Sequence, residues 1–255
     1  MPDCSSVESP GRPRAAREAM GAAPLAERYA RRDISVKAIV LFGSPGSGKG
    51  TQARMLCQAL GIPHISTGDM LRDSIRQGNE VGRAAAEKMH AGALVSDDVV
   101  NRMVEERLAR PDALEGFILD GYPRTLAQAR HLAGWMDSRG IREVVIHLAV
   151  DYNVIIARLT GRRQCPRCGT LYNLATQPPR VDGLCDLDGE TLVIRDDDRE
   201  EVIRGRLEAY DLETRPVLEY YRAAGRNVIV VDGSSDPPET VFRKICQAME
   251  TRDRS

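Results

Sequence analysis

The stretch from 37 to 51 restricts the fold of this chain more than any other. KAIVLF at 37–42 is a short, continuous apolar run, typical of a strand buried on both faces of a parallel sheet. It leads into the glycine-rich turn GSPGSGKGT at 43–51 and a helical pattern over 49–60. A strand, a glycine turn and a helix in this order predict one unit of an α/β sheet.

The same alternation continues along the chain. Further buried strands are predicted at 116–120, 144–150 and 228–231. Helical patterns lie near 69–77, 80–90, 97–109, 125–138, 152–160, 199–222 and 239–250. We therefore expect a doubly wound parallel sheet with helices on both faces. Residues 161–198, with three cysteines, turn glycines and no helical period, predict a small inserted module.

Composition narrows the class of protein. The 255 residues are 42% hydrophobic with a net charge of −1, which fits a soluble globular chain without a general attraction for nucleic acid or anionic membranes. The sequence contains no run of 18 apolar residues, so no membrane span is expected. Residues 1–36 are predicted to be an extension outside the fold, and they lack the apolar core of a signal peptide. Arginines between 12 and 17 leave organelle targeting as an alternative to the cytoplasm, and Met20 is an alternative start.

The glycine turn has the chemistry of a phosphate site. Glycines at 43, 46 and 48 allow backbone N–H groups to turn inward around an anion, and the following helix adds its positive end. Lys49 supplies a point charge. The spacing matches G-x4-G-K, but Gly50 stands where a hydroxyl usually binds Mg²⁺. A glycine turn without a ligand is the alternative.

Two more strings select a family. ISTGDMLR at 65–72 and LDGYPRT at 119–125, together with the loop at 43–51, resemble the motifs of adenylate kinases over about 37–250. The resemblance implies a monomeric transferase that maintains adenine nucleotide balance through ATP + AMP = 2 ADP, with Mg²⁺ as cofactor. It also implies the division core 37–65, 96–160 and 199–250, AMP-binding segment 66–95, lid 161–198 and tail 251–255.

The resemblance assigns site residues by position. AMP contacts are expected from Thr67, Arg72, Val95, Gly121, Arg124, Gln128, Arg195 and Arg206. ATP contacts are expected from Gly46, Ser47, Gly48, Lys49, Gly50, Thr51, Arg158, Arg162, Tyr172 and Val230. Phosphoryl transfer is assigned to Lys49, Asp120, Arg124, Arg162, Arg195 and Arg206.

The residue types agree with these roles. Arg72 and Arg124 carry planar guanidinium groups suited to bidentate phosphate binding. Gln128 follows Arg124 by four residues, so both side chains share one helix face, and its amide can both donate to and accept from adenine. Asp120 is expected in the Mg²⁺ shell through water, with helix capping as the alternative. Val230 stands where the family often has lysine.

The insert has the pattern of a metal knuckle. Cys165 and Cys168 form C-x2-C, and Cys185 follows after 16 residues. With Asp188 they offer the four ligands of a structural Zn²⁺, and the resemblance includes lids with this Cys-Cys-Cys-Asp set. Asp186 as the fourth ligand, a simple Asp-Gly turn, and a disulfide between Cys165 and Cys168 are the alternatives.

Two other functions remain open from the sequence. One is a kinase for UMP or CMP, or one that uses GTP as donor, although the 38-residue insert is longer than pyrimidine kinases usually have. The other is a P-loop ATPase whose metal module binds nucleic acid. The insert of this chain, residues 161–198, has five arginines, seven acidic residues and one aromatic residue. It therefore lacks the basic and stacking surface that nucleic-acid binding requires.

Overall fold

The computed structural model describes residues 38–253 of the chain, and the predicted extension at 1–36 lies outside this range. The strands are β1 Ala38–Phe42, β2 His64–Ser66, β3 Phe117–Asp120, β4 Glu143–Ala149, β5 Arg162–Gln164, β6 Leu171–Asn173 and β7 Asn227–Asp232. The α-helices are α1 Lys49–Leu60, α2 Thr67–Gln77, α3 Glu80–His90, α4 Asp97–Leu108, α5 Leu126–Asp137, α6 Tyr152–Thr160, α7 Glu200–Ala209, α8 Arg215–Ala223 and α9 Pro238–Asp253. Short 3-10 turns occupy Pro111–Ala113 and Asp196–Asp198.

Five strands form one parallel sheet in the order β2-β3-β1-β4-β7. Strand β1 is central, and all five of its residues are buried because helices cover both faces of the sheet. Its first residue, Ala38, is in register with Phe117 of β3 and Glu143 of β4. The continuous apolar run at 37–42 thus forms the buried strand that it predicts.

Successive residues of β1 belong to two separate cores. Ala38, Val40 and Phe42 face a core shared with α4, α5 and α8, whereas the side chains between them face one shared with α1 and α9. This alternation follows from the two-residue period of a strand. The expectation of a doubly wound sheet with helices on both faces is confirmed.

The structure differs from the sequence expectations in two elements. Strand β2 was not expected, because its three residues contain a single fully buried apolar side chain, Ile65, and no apolar run. The helical pattern at 199–222 is interrupted by a π-turn at Tyr210–Thr214, which separates α7 from α8. The insert contains the antiparallel pair β5–β6. Among residues 38–253, no helix combines the length and the apolarity that crossing a membrane requires.

Candidate functional site

A cavity of about 820 Å³ opens at the carboxyl edge of the sheet, where Phe42 and Asp120 end β1 and β3. Open α/β sheets bind their ligands at this edge because loops and helix N-termini meet there. Of the residues that the sequence predicts to bind a nucleotide or to act in phosphoryl transfer, all except Val230 line the cavity. They are Gly46, Ser47, Gly48, Lys49, Gly50, Thr51, Thr67, Arg72, Val95, Asp120, Gly121, Arg124, Gln128, Arg158, Arg162, Tyr172, Arg195 and Arg206.

The loop between β1 and α1 lines the cavity with its glycines and with Lys49. Gly46 and Gly48 have φ values of +82° and +97°, which favour glycine, and Gly48 is the N-cap of α1. Lys49 Nζ donates to the carbonyl oxygens of Gly43 at 2.7 Å and Ser44 at 2.9 Å. Burial lowers the pKa of Lys49 to about 8, and the charge of Asp120 opposes that shift. The lysine is therefore held, still mostly charged at neutral pH, at the mouth of the loop.

Asp120 is an ionised carboxylate beside this loop. Burial disfavours its charge, but a hydrogen bond from His64 and the charge of Lys49 outweigh burial and lower its pKa. His64 Nε2 lies 3.3 Å from Asp120 Oδ2. A Cβ atom at Gly50 would lie 3.4 Å from the same oxygen, so the glycine leaves this carboxylate accessible. The capping alternative is wrong, because Thr125 caps α5: its Oγ1 accepts from the backbone N–H of Gln128, the third residue of the helix, at 3.1 Å.

A tight polar corner lies beyond Asp120. Gly121 has φ +78°, and its carbonyl accepts from Thr67 Oγ1 at 2.8 Å and Arg124 Nε at 2.7 Å. Gln128 is 2% exposed; its Oε1 accepts from the backbone N–H of Arg124, and its Nε2 donates to Asp97 Oδ1, both at 2.7 Å. Asp97, which the sequence did not single out, fixes the orientation of this amide. One lone pair and one N–H of Gln128 remain for a ligand.

Buried carboxylates organise the converging arginines. Asp198 accepts from Arg162 through both of its oxygens, with Nε at 2.6 Å from Oδ2, and from Arg206 Nη1 at 2.9 Å. Asp197 Oδ2 lies 3.4 Å from Arg72 Nη1 and 3.3 Å from Arg206 Nη1. Both aspartates follow Arg195 in the run Asp196–Asp198, and neither was predicted to be a site residue. They offset part of the mutual repulsion of the guanidinium groups.

The remaining two cations of this group have lowered pKa values. Burial lowers the pKa of Arg124 to about 10, and the charge of Arg206 adds to the effect. Burial also lowers the pKa of Arg195 to about 10, with contributions from Arg72 and the neighbouring Arg162. Both stay cationic at neutral pH. A polyanionic ligand in the cavity would neutralise the positive charge of these arginines.

The opposite end of the cavity is formed by Arg158 and the loop after β7. Arg158 Nη2 donates to the carbonyl of Gly233 at 2.7 Å, and Nη1 lies 3.4 Å from the carbonyl of Ser47. Val230 lies inside β7 with its side chain 54% exposed, and it does not line the cavity. The loop residues Gly233, Ser234 and Ser235, which the sequence analysis did not assign, line it instead.

One further unpredicted pair supports the wall at the π-turn. Tyr210 lines the cavity, and its hydroxyl lies 3.4 Å from Nε2 of His147 on β4. Burial, together with the charge of Arg222, lowers the pKa of His147 to about 4. The imidazole is therefore neutral at pH 7 and acts as a hydrogen-bonding partner of Tyr210 rather than as a charge.

The insert brings four metal-ligand atoms together. The three Sγ atoms and a carboxylate oxygen of Cys165, Cys168, Cys185 and Asp188 all lie within 4.8 Å of one another. The Sγ atoms of Cys168 and Cys185 are 3.5 Å apart, and Cys165 Sγ is 3.4 Å from Asp188. Zinc–sulfur bonds of about 2.3 Å in a tetrahedron place ligands about 3.8 Å apart. The cluster is therefore the size of a tetrahedral zinc site.

Two of the three alternatives for this cluster do not fit, whereas Asp188 does accept from the Glu190 N–H at 3.1 Å, as in an Asp-Gly turn. All three cysteines are free thiols, so no disulfide joins Cys165 to Cys168. Asp186 instead accepts from the backbone N–H of Arg180 at 2.8 Å and stays outside the cluster. Tyr172 accepts from the Asp186 N–H at 2.8 Å, and its hydroxyl lies 3.5 Å from Cys185 Sγ. The Tyr172 hydroxyl thus supports the cluster, and the ATP contact of Tyr172 stays a prediction, since the residue also lines the cavity.

Comparison with known proteins adds an independent line of evidence. The family model described as adenylate kinase matches residues 41–226. A curated adenylate kinase from Anaeromyxobacter dehalogenans strain 2CP-1 is 49% identical over 191 residues, covering 73% of this chain and 88% of the relative. One from Moorella thermoacetica is 47% identical over 205 residues, covering 80% and 94%. One from Thermoanaerobacter sp. strain X514 is 44% identical over 218 residues, covering 85% and 99%.

Proposed function

Because this chain belongs to the adenylate kinase family and catalyses the reversible transfer ATP + AMP = 2 ADP, we propose that its cavity holds the two nucleotides end to end. The observation that supports this most is the convergence of five cations on one cavity. The five are Lys49, Arg124, Arg162, Arg195 and Arg206. Phosphoryl transfer requires that the two nucleotides are positioned and that the charge of the transferred phosphoryl group is neutralised. This arrangement of cations can do both.

The donor ATP is assigned to the loop at 46–51 and the end formed by Arg158. Backbone N–H groups of the loop and the N-terminus of α1 bind the β- and γ-phosphates. The Arg158 guanidinium, fixed by the carbonyls of Ser47 and Gly233, is the platform on which the adenine stacks. Val230 contributes at most backbone, because its side chain faces outward. The donor base contact therefore shifts to the loop from Gly233.

The acceptor AMP is assigned to the corner around Gly121. Arg72 and Arg124 bind its phosphate, and Gln128 meets the adenine edge with the lone pair and N–H that Asp97 and Arg124 leave unused. Thr67 and Val95 complete the wall. A side chain at Gly121 would collide with Arg124 Nη2 at 2.9 Å and Thr67 Oγ1 at 3.0 Å.

The chemical step needs no strong general base, because the attacking AMP phosphate oxygen is already an anion. Lys49 exchanges the carbonyls of Gly43 and Ser44 for the transferring phosphoryl group. Arg162 and Arg206 are held in place by Asp198, so little reorganisation is needed as charge develops on the equatorial oxygens. The fixed positions of these two arginines are a form of electrostatic preorganisation.

Mg²⁺ fits beside the loop. Asp120 is ionised and half-buried, and Gly50 leaves its carboxylate accessible, which suits a group that holds the ion through water. When bound with ATP, the ion neutralises charge on the β- and γ-phosphates. Because Gly50 offers no hydroxyl, Asp120 and the phosphates themselves are assigned most of this coordination.

We assign residues 66–95 to AMP binding and residues 161–198 to a lid. Water is about as good a nucleophile as a phosphate oxygen, so closure protects ATP from hydrolysis. A structural Zn²⁺ on Cys165, Cys168, Cys185 and Asp188 would give rigidity to a module whose buried cluster contains two of these cysteines and only two larger side chains, Tyr172 and Leu192. A cytoplasmic monomer without nucleic-acid partners remains our prediction.

The metal assignment predicts that Asp188→Ala and Asp186→Ala behave differently. The Asp188 variant removes one of four ligands, so zinc per chain falls from about one to below about 0.1, and the thermal midpoint falls by about 5–10 °C. The matched Asp186 variant keeps its zinc, because that carboxylate caps the Arg180 amide instead. Elemental analysis and thermal unfolding measure both. Equal zinc in the two variants, or none in the unaltered protein, would remove the assignment.

The acceptor assignment predicts a strong preference among nucleoside monophosphates. With ATP and Mg²⁺ held constant, kcat/KM for AMP should exceed that for UMP, CMP and GMP by about 10²-fold or more. The reason is that a base with a different hydrogen-bonding edge would leave groups of the buried Gln128 amide unpaired, which costs free energy. A coupled assay with the four acceptors measures this ratio. Similar rates with a pyrimidine acceptor would instead support a pyrimidine monophosphate kinase and remove the role of Gln128.

A further inference from the structure

Asp97, in the first turn of α4, has no direct part in the proposed reaction. It is partly buried and does not line the nucleotide cavity. Both of its carboxylate oxygens are nevertheless engaged: Oδ1 accepts from Gln128 Nε2 at 2.7 Å, and Oδ2 accepts from Thr125 Oγ1 at 2.8 Å. The carboxylate therefore influences the cavity only through its neighbours.

Two independent contacts determine which way the Gln128 amide points. The backbone N–H of Arg124 can only donate, so the end of the amide that lies 2.7 Å from it must be the oxygen. A carboxylate can only accept, so the end that lies 2.7 Å from Asp97 must be the nitrogen. Turning the amide over would replace both hydrogen bonds with repulsive contacts at once.

The surroundings of Gln128 restrict its movement. The residue is 2% exposed, and its backbone N–H donates to Thr125 Oγ1 at 3.1 Å. The hydroxyl of the buried Tyr122 donates to Asn101 Oδ1 on α4 at 2.7 Å. It also lies 3.5 Å from the carbonyl oxygen of Gln128. The start of α5 is thus joined to α4 through two hydroxyl groups, which keeps the amide beside the carboxylate of Asp97.

The fixed amide presents a definite hydrogen-bonding pattern to a ligand. Within residues 38–253, the amide makes only these two hydrogen bonds, so one lone pair of Oε1 and one N–H of Nε2 remain. A 6-amino purine matches them, because its amino group donates and its ring N1 accepts. A 6-oxo purine has the reverse pattern, with an oxygen that accepts and an N1–H that donates. It would set acceptor against acceptor and donor against donor, which is costly in a buried site.

We propose that Asp97 is a positioning residue that, through the Gln128 amide, selects a 6-amino purine over a 6-oxo purine as the acceptor base. This inference rests on the proposed AMP site around Gln128. Asp97 acts without touching the nucleotide, because it makes one of the two amide orientations unfavourable. The backbone N–H of Arg124 favours the same orientation, so loss of Asp97 should weaken the selection and not abolish it.

The test compares AMP with inosine monophosphate as acceptors, because hypoxanthine has the size of adenine and differs at the 6-oxo and N1–H groups. The measured quantity is the ratio of kcat/KM for the two acceptors, with ATP and Mg²⁺ held constant. In Asp97→Ala this ratio should fall by about tenfold or more, since the amide loses a charged partner and can turn over. In Asp97→Asn it should fall less, because the asparagine carbonyl oxygen can still accept from Nε2.

Asp98→Ala is the matched control. Asp98 is the next residue in the first turn of α4 and is exposed, so its loss removes the same charge from the same helix end. The ratio for this variant should equal that of the unaltered protein. A general loss of folded enzyme lowers the rates with both acceptors equally, so the ratio responds to recognition of the base and not to stability.

Gln128→Leu separates this inference from the AMP site on which it rests. A lower ratio in Gln128→Leu with an unchanged ratio in Asp97→Ala would leave the AMP site standing and overturn the role of Asp97. An unchanged ratio in Gln128→Leu would mean that the amide does not meet the acceptor base, and both the site and the inference would fail. Equal falls in Asp97→Ala and Asp98→Ala would also overturn the inference, because the effect would then come from charge at the helix end.

Discussion

Lys49→Met lowers kcat for ADP disproportionation by about 10²- to 10³-fold, which is the usual effect of removing one preorganised charge from a transition state. Within residues 38–253, the lysine side chain donates hydrogen bonds only to the carbonyl oxygens of Gly43 and Ser44, so we expect its loss to leave the fold intact. Methionine keeps the length and the apolar stem of the side chain. We expect KM for ADP to rise far less than kcat falls, because backbone amides of the loop supply much of the ground-state binding.

Lys88→Met is the matched control for this experiment. Lys88 is exposed in the last turn of α3, outside the residues that line the cavity, and the same substitution there should leave kcat within about twofold. Steady-state kinetics with the thermal midpoint of each variant separates catalysis from folding. A Lys49→Met enzyme that retained more than about a tenth of kcat would contradict the role given to this charge.

The sequence predicted those parts of the fold that short-range pattern determines. The buried strand at 37–42, the turn that follows it and α1 are adjacent in the chain, and the physics of each is local. Strand β2 was missed because it is stabilised by its pairing with β3 and not by its own three residues. The π-turn at Tyr210–Thr214 has no local signal in a pattern that reads as continuous helix.

The site shows the same limit. The arginines and Lys49 were identified because they stand inside short motifs, and they do line one cavity. Their partners were not identified, since pairing depends on long-range geometry: Arg162 and Asp198 are 36 residues apart, and Asp97 and Gln128 are 31 apart. A single sequence offers no sign that one acidic residue among 37 lies beside a given arginine. The local signal that existed was the run of three aspartates after Arg195.

Gly233 and Val230 show a limit of assignment by motif. The resemblance predicts an ATP contact from Val230, and because the two-residue period of β7 turns its side chain outward, only a backbone contact from this residue stays a prediction. The backbone three residues later enters the cavity instead, where Gly233 accepts from Arg158. Backbone contacts carry no side-chain signature, so sequence reasoning cannot find them.

Arg124→Ala should raise KM for AMP by about 10²-fold and KM for ATP by less than about threefold. The guanidinium is held by Nε at the Gly121 carbonyl, which leaves its terminal N–H groups for a phosphate on the acceptor side. Two charge-assisted hydrogen bonds to one phosphate contribute about 1.5–3 kcal/mol each before competing costs, which is consistent with this loss. The backbone N–H of Arg124, which donates to Gln128, is unchanged by the substitution.

The two nucleotides must be varied separately in this experiment, because ADP disproportionation mixes the two subsites. Arg130→Ala is the control: it lies on the same helix α5 but is exposed, and it should change neither KM. Arg124→Lys keeps the charge and loses the planar pair of donors, so it should recover only part of the AMP affinity. If Arg124→Ala weakened ATP and AMP equally, the arginine would lie at the transferring phosphoryl group shared by both and not at the acceptor phosphate. The two ends of the cavity would then need to be reassigned.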